Sequence, residues 1–256
     1  MADSANLKID RAVKRISEMS DLFNNKRPFA YMVKTNINTG ERATYAKKND
    51  AVAEEAALIA GEAIHALRSA LDHAYWEIVS PHANTDSERR RVQFPFTKEA
   101  ARLEDNAKSK LADRVSPGFL KAIIDLKPYA EEGGNEYLHL IDELDVLDKH
   151  KLLIPIGDFT QISGDDIRRQ VPDIPVAGSN IGFGMNRRDI VWHVQKLPTD
   201  LGHPVPPTQH LFEKEINVVV DIVFATSFSG HMRPMIPTLH DLVRITRETV
   251  HVLRTS

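Results

Sequence analysis

With 256 residues, 42% of them hydrophobic and 27% charged, the chain is long enough to bury one large core or two small ones, and one domain with an elaboration is expected in preference to two independent units. A net charge of −3 provides no global basic field, so RNA or DNA would have to be held by a local basic patch. The absence of cysteine excludes disulfides, thiolate zinc sites and cysteine nucleophiles and points to a reducing cytoplasm, and no run approaches the ~20 apolar residues of a bilayer span, so no membrane partner is expected.

In chain order, Leu7, Val13, Ile16, Met19 and Phe23 recur at three and four and predict an amphipathic helix over 7–23, its other side basic through Arg11, Lys14 and Arg15. Residues 28–47 alternate around Asn38-Thr39-Gly40, which predicts a β-hairpin. The longest helical run follows over 50–81. Asp50 is its expected N-cap, Pro81 its stop, and Ile64, Leu67, Leu71, Tyr75 and Ile78 its buried stripe. The polar connection behind it holds the densest basic run, Arg89-Arg90-Arg91, read as solvated loop unless it lies near His73. Helices are predicted over 98–112 and 117–126, the second opened by Ser116-Pro117 and stopped by Pro128, with a loop at 131–135.

A further helix is predicted over 136–153, with Leu138, Ile141, Leu144 and Leu152 inward and Asp148 on the same stripe, where an acid needs a partner. His139, Glu143, Val146 and His150 share a neighbouring face. Beyond it the apolar period becomes two, and strands are predicted at 152–159, 174–178, 180–185, 189–197 and 215–226, with a proline-rich connection at 198–208. A last helix from about Pro237 turns Leu239, Leu242, Val243, Val250 and Leu253 inward and His240, Arg244, Arg247, His251 and Arg254 outward as a basic stripe. The expected fold class is α+β in a single domain over 1–256: an N-terminal hairpin, a helical core over 50–151 with a central long helix, a β-rich segment over 152–235 and a C-terminal helix over 236–256.

The long helix contains Arg68-x4-His73-x-Tyr75, the string most like chemistry. In a regular helix Asp72 and Tyr75 lie within about 40° of Arg68, whereas His73 stands about 140° away beside Ser69 and Trp76. The Arg/His pair can therefore complete a site by the arginine curling round, or across a two-fold axis with a second copy. A histidine, with an ordinary pKa of ~6.5, can accept a proton from a ribose 2′-hydroxyl while an arginine holds the scissile phosphate, and neither step needs a metal or a cofactor.

This string resembles the signature of HEPN domains, small all-helical units of bacterial toxins, toxin–antitoxin systems and defence proteins. The resemblance, which covers about a dozen residues and is best over HAYWEI, implies a homodimeric, metal-independent endoribonuclease. By position it makes Arg68 the phosphate-binding residue, His73 the catalytic one, Ser69 the polar residue after the arginine and Tyr75 the tyrosine after the histidine. The pairing of RSALDH with a later LDKHK also resembles a group of uncharacterised bacterial proteins.

The rival expectation is a non-catalytic binding or interaction protein. In it Arg68 and Asp148 form a buried ion pair between the two central helices and Asp72 and His150 a second tie. His65, Asp72, His139, Asp148 and His150 form a weaker metal constellation, with no HExxH or close His pair. The glycines at 178–184 have the wrong spacing for a phosphate loop, and Ser227 and Ser229 lack a nucleophile-elbow context.

Overall fold

The computed structural model describes residues 3–36, 42–153, 155–158, 190–194, 211–216, 221–224 and 233–256. These residues are mainly helical, with a smaller β part, so the expected α+β class holds in its coarser form. The strands expected at 174–178 and 180–185 and the connection at 198–208 lie outside the described residues.

The single domain expected over 1–256 divides into two compact units that interleave along the chain. The first gathers Met1–Asp21, Ala56–Leu153 and Ser227–Ser256, and the second Leu22–Glu55 and Ile154–Thr226. Pairing of strands from either side of the long helix produces this arrangement, because the N-terminal hairpin takes a strand from the distant β segment. β1 (Phe29–Asn36) pairs antiparallel with β2 (Arg42–Lys48), setting Thr35 opposite Arg42 and Phe29 opposite Lys48. With β4 (Ile190–Val194) and β5 (Leu211–Ile216) they form a four-stranded sheet in the order β4-β2-β1-β5. β3 (Pro155–Asp158) pairs separately with β6 (Asp221–Phe224). Where one strand was predicted over 215–226, β5 ends at Ile216 and β6 begins at Asp221.

The other unit is built from helices. α1 (Ser4–Asn25) buries Ala5, Ile9, Ala12, Ile16 and Met19, while Leu7, expected inward, faces solvent. Small alanines replace some of the large residues that the periodicity was read from, which shifts the buried stripe round the helix. α2 (Asp50–Val79) is capped by Asn49, whose Oδ1 accepts the Val52 N–H at 3.5 Å, one residue before the expected Asp50. It buries Ile64, Leu67, Leu71 and Tyr75 as predicted, and also eight alanines between Ala53 and Ala74. That leaves only a narrow outward stripe.

Between α2 and the next long helix the chain is irregular. α3 (Asp86–Arg89) is capped by Thr85, and the helix predicted over 98–112 shortens to α4 (Leu103–Ser109) between two tight 3-10 turns. Leu111, at φ 69°, breaks it, since a left-handed residue cannot continue a right-handed helix. α5 (Pro117–Leu126) follows the prediction, with Ser116 Oγ accepting the Phe119 N–H at 2.8 Å. α6 (Glu136–Asp148) is capped by Asn135 and ends five residues before the expected limit. α7 (Met235–Thr255) buries all five residues assigned inward. Among the described residues no helix is long and apolar enough to cross a membrane.

Candidate functional site

The geometry of interest runs along the seam between α2 and α6, which lie antiparallel: Arg68 meets Asp142, and His65, one turn earlier, meets Asp145. At Gly61 the approach is closest, since a Cβ built there would overlap both carboxylate oxygens of Asp148. A glycine therefore lets Asp148 lie flat on α2.

Arg68 is held on three sides. Its Nε donates to Asp142 Oδ1 at 3.1 Å and its guanidinium stacks on the Phe96 ring, 4.5 Å from the centroid. Nη1 lies 2.6 Å from Asp72 Oδ1, but poorly aligned for a hydrogen bond, so this contact is electrostatic. Only 13% of the side chain is exposed. The expected Arg68–Asp148 pair is thus corrected to Arg68–Asp142 plus Asp72. Asp142 lies six residues before Asp148 in α6, and the antiparallel run of the seam takes Asp148 past Arg68 to Gly61. The expected Asp72–His150 tie is corrected too, because Asp72 Oδ1 accepts the Phe94 N–H at 2.9 Å and His150 is exposed beyond the end of α6.

Tyr75 is completely buried, packed against Phe94 and Phe119, and its hydroxyl donates to the Lys110 carbonyl at 3.0 Å. Burial, and then the charge of Asp113, push its phenol above the ordinary value. It is a core residue with its proton committed, and no substrate reaches it. His73 and Ser69 lie instead on the outward stripe, half-buried, in line with Leu58, Glu62, His65 and Trp76. The sequence pattern thus split by face: Arg68 and Tyr75 point inward or along the seam, Ser69 and His73 outward. Lys110 is held below the ordinary lysine value by burial, opposed by Asp72 and assisted by Arg68 and Arg91, so one member of the arginine run does share the field of Arg68.

One turn toward the N-terminus of α2 lies an arrangement that the pattern missed. His65 Nδ1 is 3.0 Å from Asp145 Oδ1, and His65 Nε2 is 3.5 Å from Ser69 Oγ. The Asp145 side chain is only 4% exposed and its second oxygen accepts from Lys149 Nζ at 2.6 Å, whereas the His65 ring is 60% exposed. Asp148 lies beside this group, its carboxyl raised by burial and by Asp145, with His65 opposing. The i, i+4 spacing of His65 and Ser69 was legible; Asp145 was not, because it stands next to the apolar stripe of α6 and looks like a solvated acid.

The five residues of the weak metal constellation do not converge on one point: His65 and Asp148 lie near each other around Asp145, but Asp72 meets Arg68, His139 meets Glu143 at 3.6 Å, and His150 is exposed beyond α6. Among the described residues no group of three or more His, Asp or Glu side chains is placed to hold an ion. A cavity of about 220 Å³ opens over the start of α6, lined by Tyr129, Glu131, Glu132, His139 and Glu143. There Glu131 accepts the Ala100 N–H, and Glu136 pairs with Arg233. The basic stripe of α7 is largely neutralised at close range: Arg244 by Asp241 and Glu248, and Arg254 by Asp3 and Glu77. No protein-family model, curated protein or solved structure matches the chain.

Proposed function

We propose that the protein is a binding or interaction module, in which Arg68, Asp72 and Asp142 form an architectural network and the Trp76 end of the outward stripe of α2 meets a partner, a second copy of the chain in the first instance. The observation that carries this reading is the state of Arg68. Two carboxylates neutralise it and an aromatic ring covers it, so a phosphate would have to displace Asp72 or Asp142 from a partly buried pair. That end of the stripe exposes Trp76, a large apolar ring seven residues and so about 10 Å along the helix from Ser69. Light scattering at micromolar concentration should report a dimer that Trp76→Glu converts to a monomer. A wild-type protein that stays monomeric would remove the self-association reading.

A metal-independent HEPN-like endoribonuclease in a reducing cytoplasm is the second reading. It is favoured by the helical make-up of the unit that carries the motif, and by half-exposed His73 one residue from Asp72, whose field Lys110 and Arg91 share. In that reading His73 is the base and Lys110 or Arg91, rather than Arg68, meets the phosphate. Cleavage of single-stranded RNA that survives chelator and disappears in His73→Ala would establish it. RNA left intact by the wild type would exclude it.

A further inference from the structure

Neither reading uses the Ser69–His65–Asp145 arrangement. We propose that Ser69 is an activated nucleophile that accepts acyl groups from esters of small carboxylic acids, with His65 as its base and Asp145 as the group that positions the histidine. A buried carboxylate at 3.0 Å from Nδ1 fixes the ring in the tautomer that carries its proton there, which leaves Nε2 as the acceptor facing Ser69 Oγ. Lys149 Nζ, 2.6 Å from the other oxygen, holds that side of the carboxylate and leaves Oδ1 to the histidine. The 3.5 Å separation between Nε2 and Oγ is longer than a working hydrogen bond, as nucleophile–base pairs without substrate often are.

Ser69 Oγ forms a bond to the ester carbonyl carbon while its proton passes to His65 Nε2. The carbon–oxygen bond to the leaving group then breaks, and the alcohol departs with the proton from His65. Water, deprotonated by the same histidine, later releases the carboxylic acid and restores the serine. Asp145 stays a carboxylate throughout. The two half-reactions differ in rate. Ser69 lies in the middle of continuous α2, where backbone N–H groups are committed to helical hydrogen bonds, so no backbone oxyanion hole faces it. Losing even one such donor costs ~10²–10³ in rate. The expected behaviour is stoichiometric acylation with slow hydrolysis, on an open face that selects for a good leaving group more than for acyl shape.

The test uses the full chain and p-nitrophenyl acetate as the probe, with the adduct located by peptide mass. One acetyl group on Ser69 is expected. His65→Gln, at an exposed ring, should slow acylation by ~100-fold or more while circular dichroism stays unchanged. Asp145→Asn should slow it too, and a variant that fails to fold leaves His65→Gln to decide. No adduct, an adduct on another residue, or an unchanged Ser69 rate in His65→Gln would each overturn the proposal.

Discussion

Two polar side-chain pairs one helical turn apart, Arg68 with Asp142 and His65 with Asp145, join the same two helices and yet have opposite surroundings. In the first the cation is the enclosed partner, covered by Phe96 and matched by two carboxylates. In the second the carboxylate is enclosed and the imidazole stands in solvent. Whichever partner is buried sets what the pair can do: a buried cation is spent on structure, whereas a buried anion beneath an exposed histidine orients a group that solutes can reach. Residue type alone does not separate these cases.

The contrast breaks first at Arg68. Arg68→Met should cost about 2–3 kcal/mol in chemical denaturation, below the ~3–5 of a fully buried pair because Asp72 and Asp142 are about a third exposed. A loss under ~0.5 kcal/mol would mean that the enclosed cation holds nothing together. Tyr75→Phe comes next. Removing the hydroxyl leaves the Lys110 carbonyl without that donor inside the core, and ~1–2 kcal/mol should be lost with little change in packing. A neutral result would show that water replaces it.

Asp148 sharpens the comparison by pH. Its carboxyl is raised above the ordinary value by burial and by Asp145, so the folded state binds its proton more tightly than the unfolded chain does. At neutral pH the ionised form is therefore a burden on stability. Asp148→Asn should raise the melting temperature at pH 7 by a small amount, and the gain should vanish as the pH falls through the raised folded pKa toward the ordinary carboxylate range and the native acid takes up its proton. A gain independent of pH would point to packing against Gly61 instead. The smallest effect is expected at the outward stripe, where His73→Ala should change stability by no more than ~0.5 kcal/mol. A larger loss would move His73 from the accessible face to the architecture of α2.

Much of the helical layout was legible because capping and spacing are local. Ser116-Pro117, the stripe from Ile64 to Tyr75 and the inward set of α7 follow from a few neighbouring residues. What was not legible depended on distant partners. Asp148 looked like the partner of Arg68 because it falls on the apolar stripe, but the direction in which α6 runs gives that place to Asp142. The pairing of β1 with β5, from residues 29–36 to 211–216, likewise has no local signal, and it divides the chain into two units where the order of elements suggested one. Within the candidate site, helical periodicity already separated His73 from Arg68 by face. It could not say that the carboxylates would take Arg68 away from solvent, nor that Asp145 would be drawn under His65.

The clasp of Arg254 on Asp3 has a consequence for how the chain is made. Nη1 and Nη2 each donate to a carboxylate oxygen at 2.7 Å, joining the last turn of α7 to the residue that precedes α1. During vectorial synthesis at ~5–20 residues per second, the ribosome takes roughly 10–50 s to travel from one to the other. α1 therefore spends that interval without its closing partner, and the helical unit can seal only after α7 has been made. A truncation that stops before α7 should leave a chain that binds chaperones or aggregates, however well its earlier helices form.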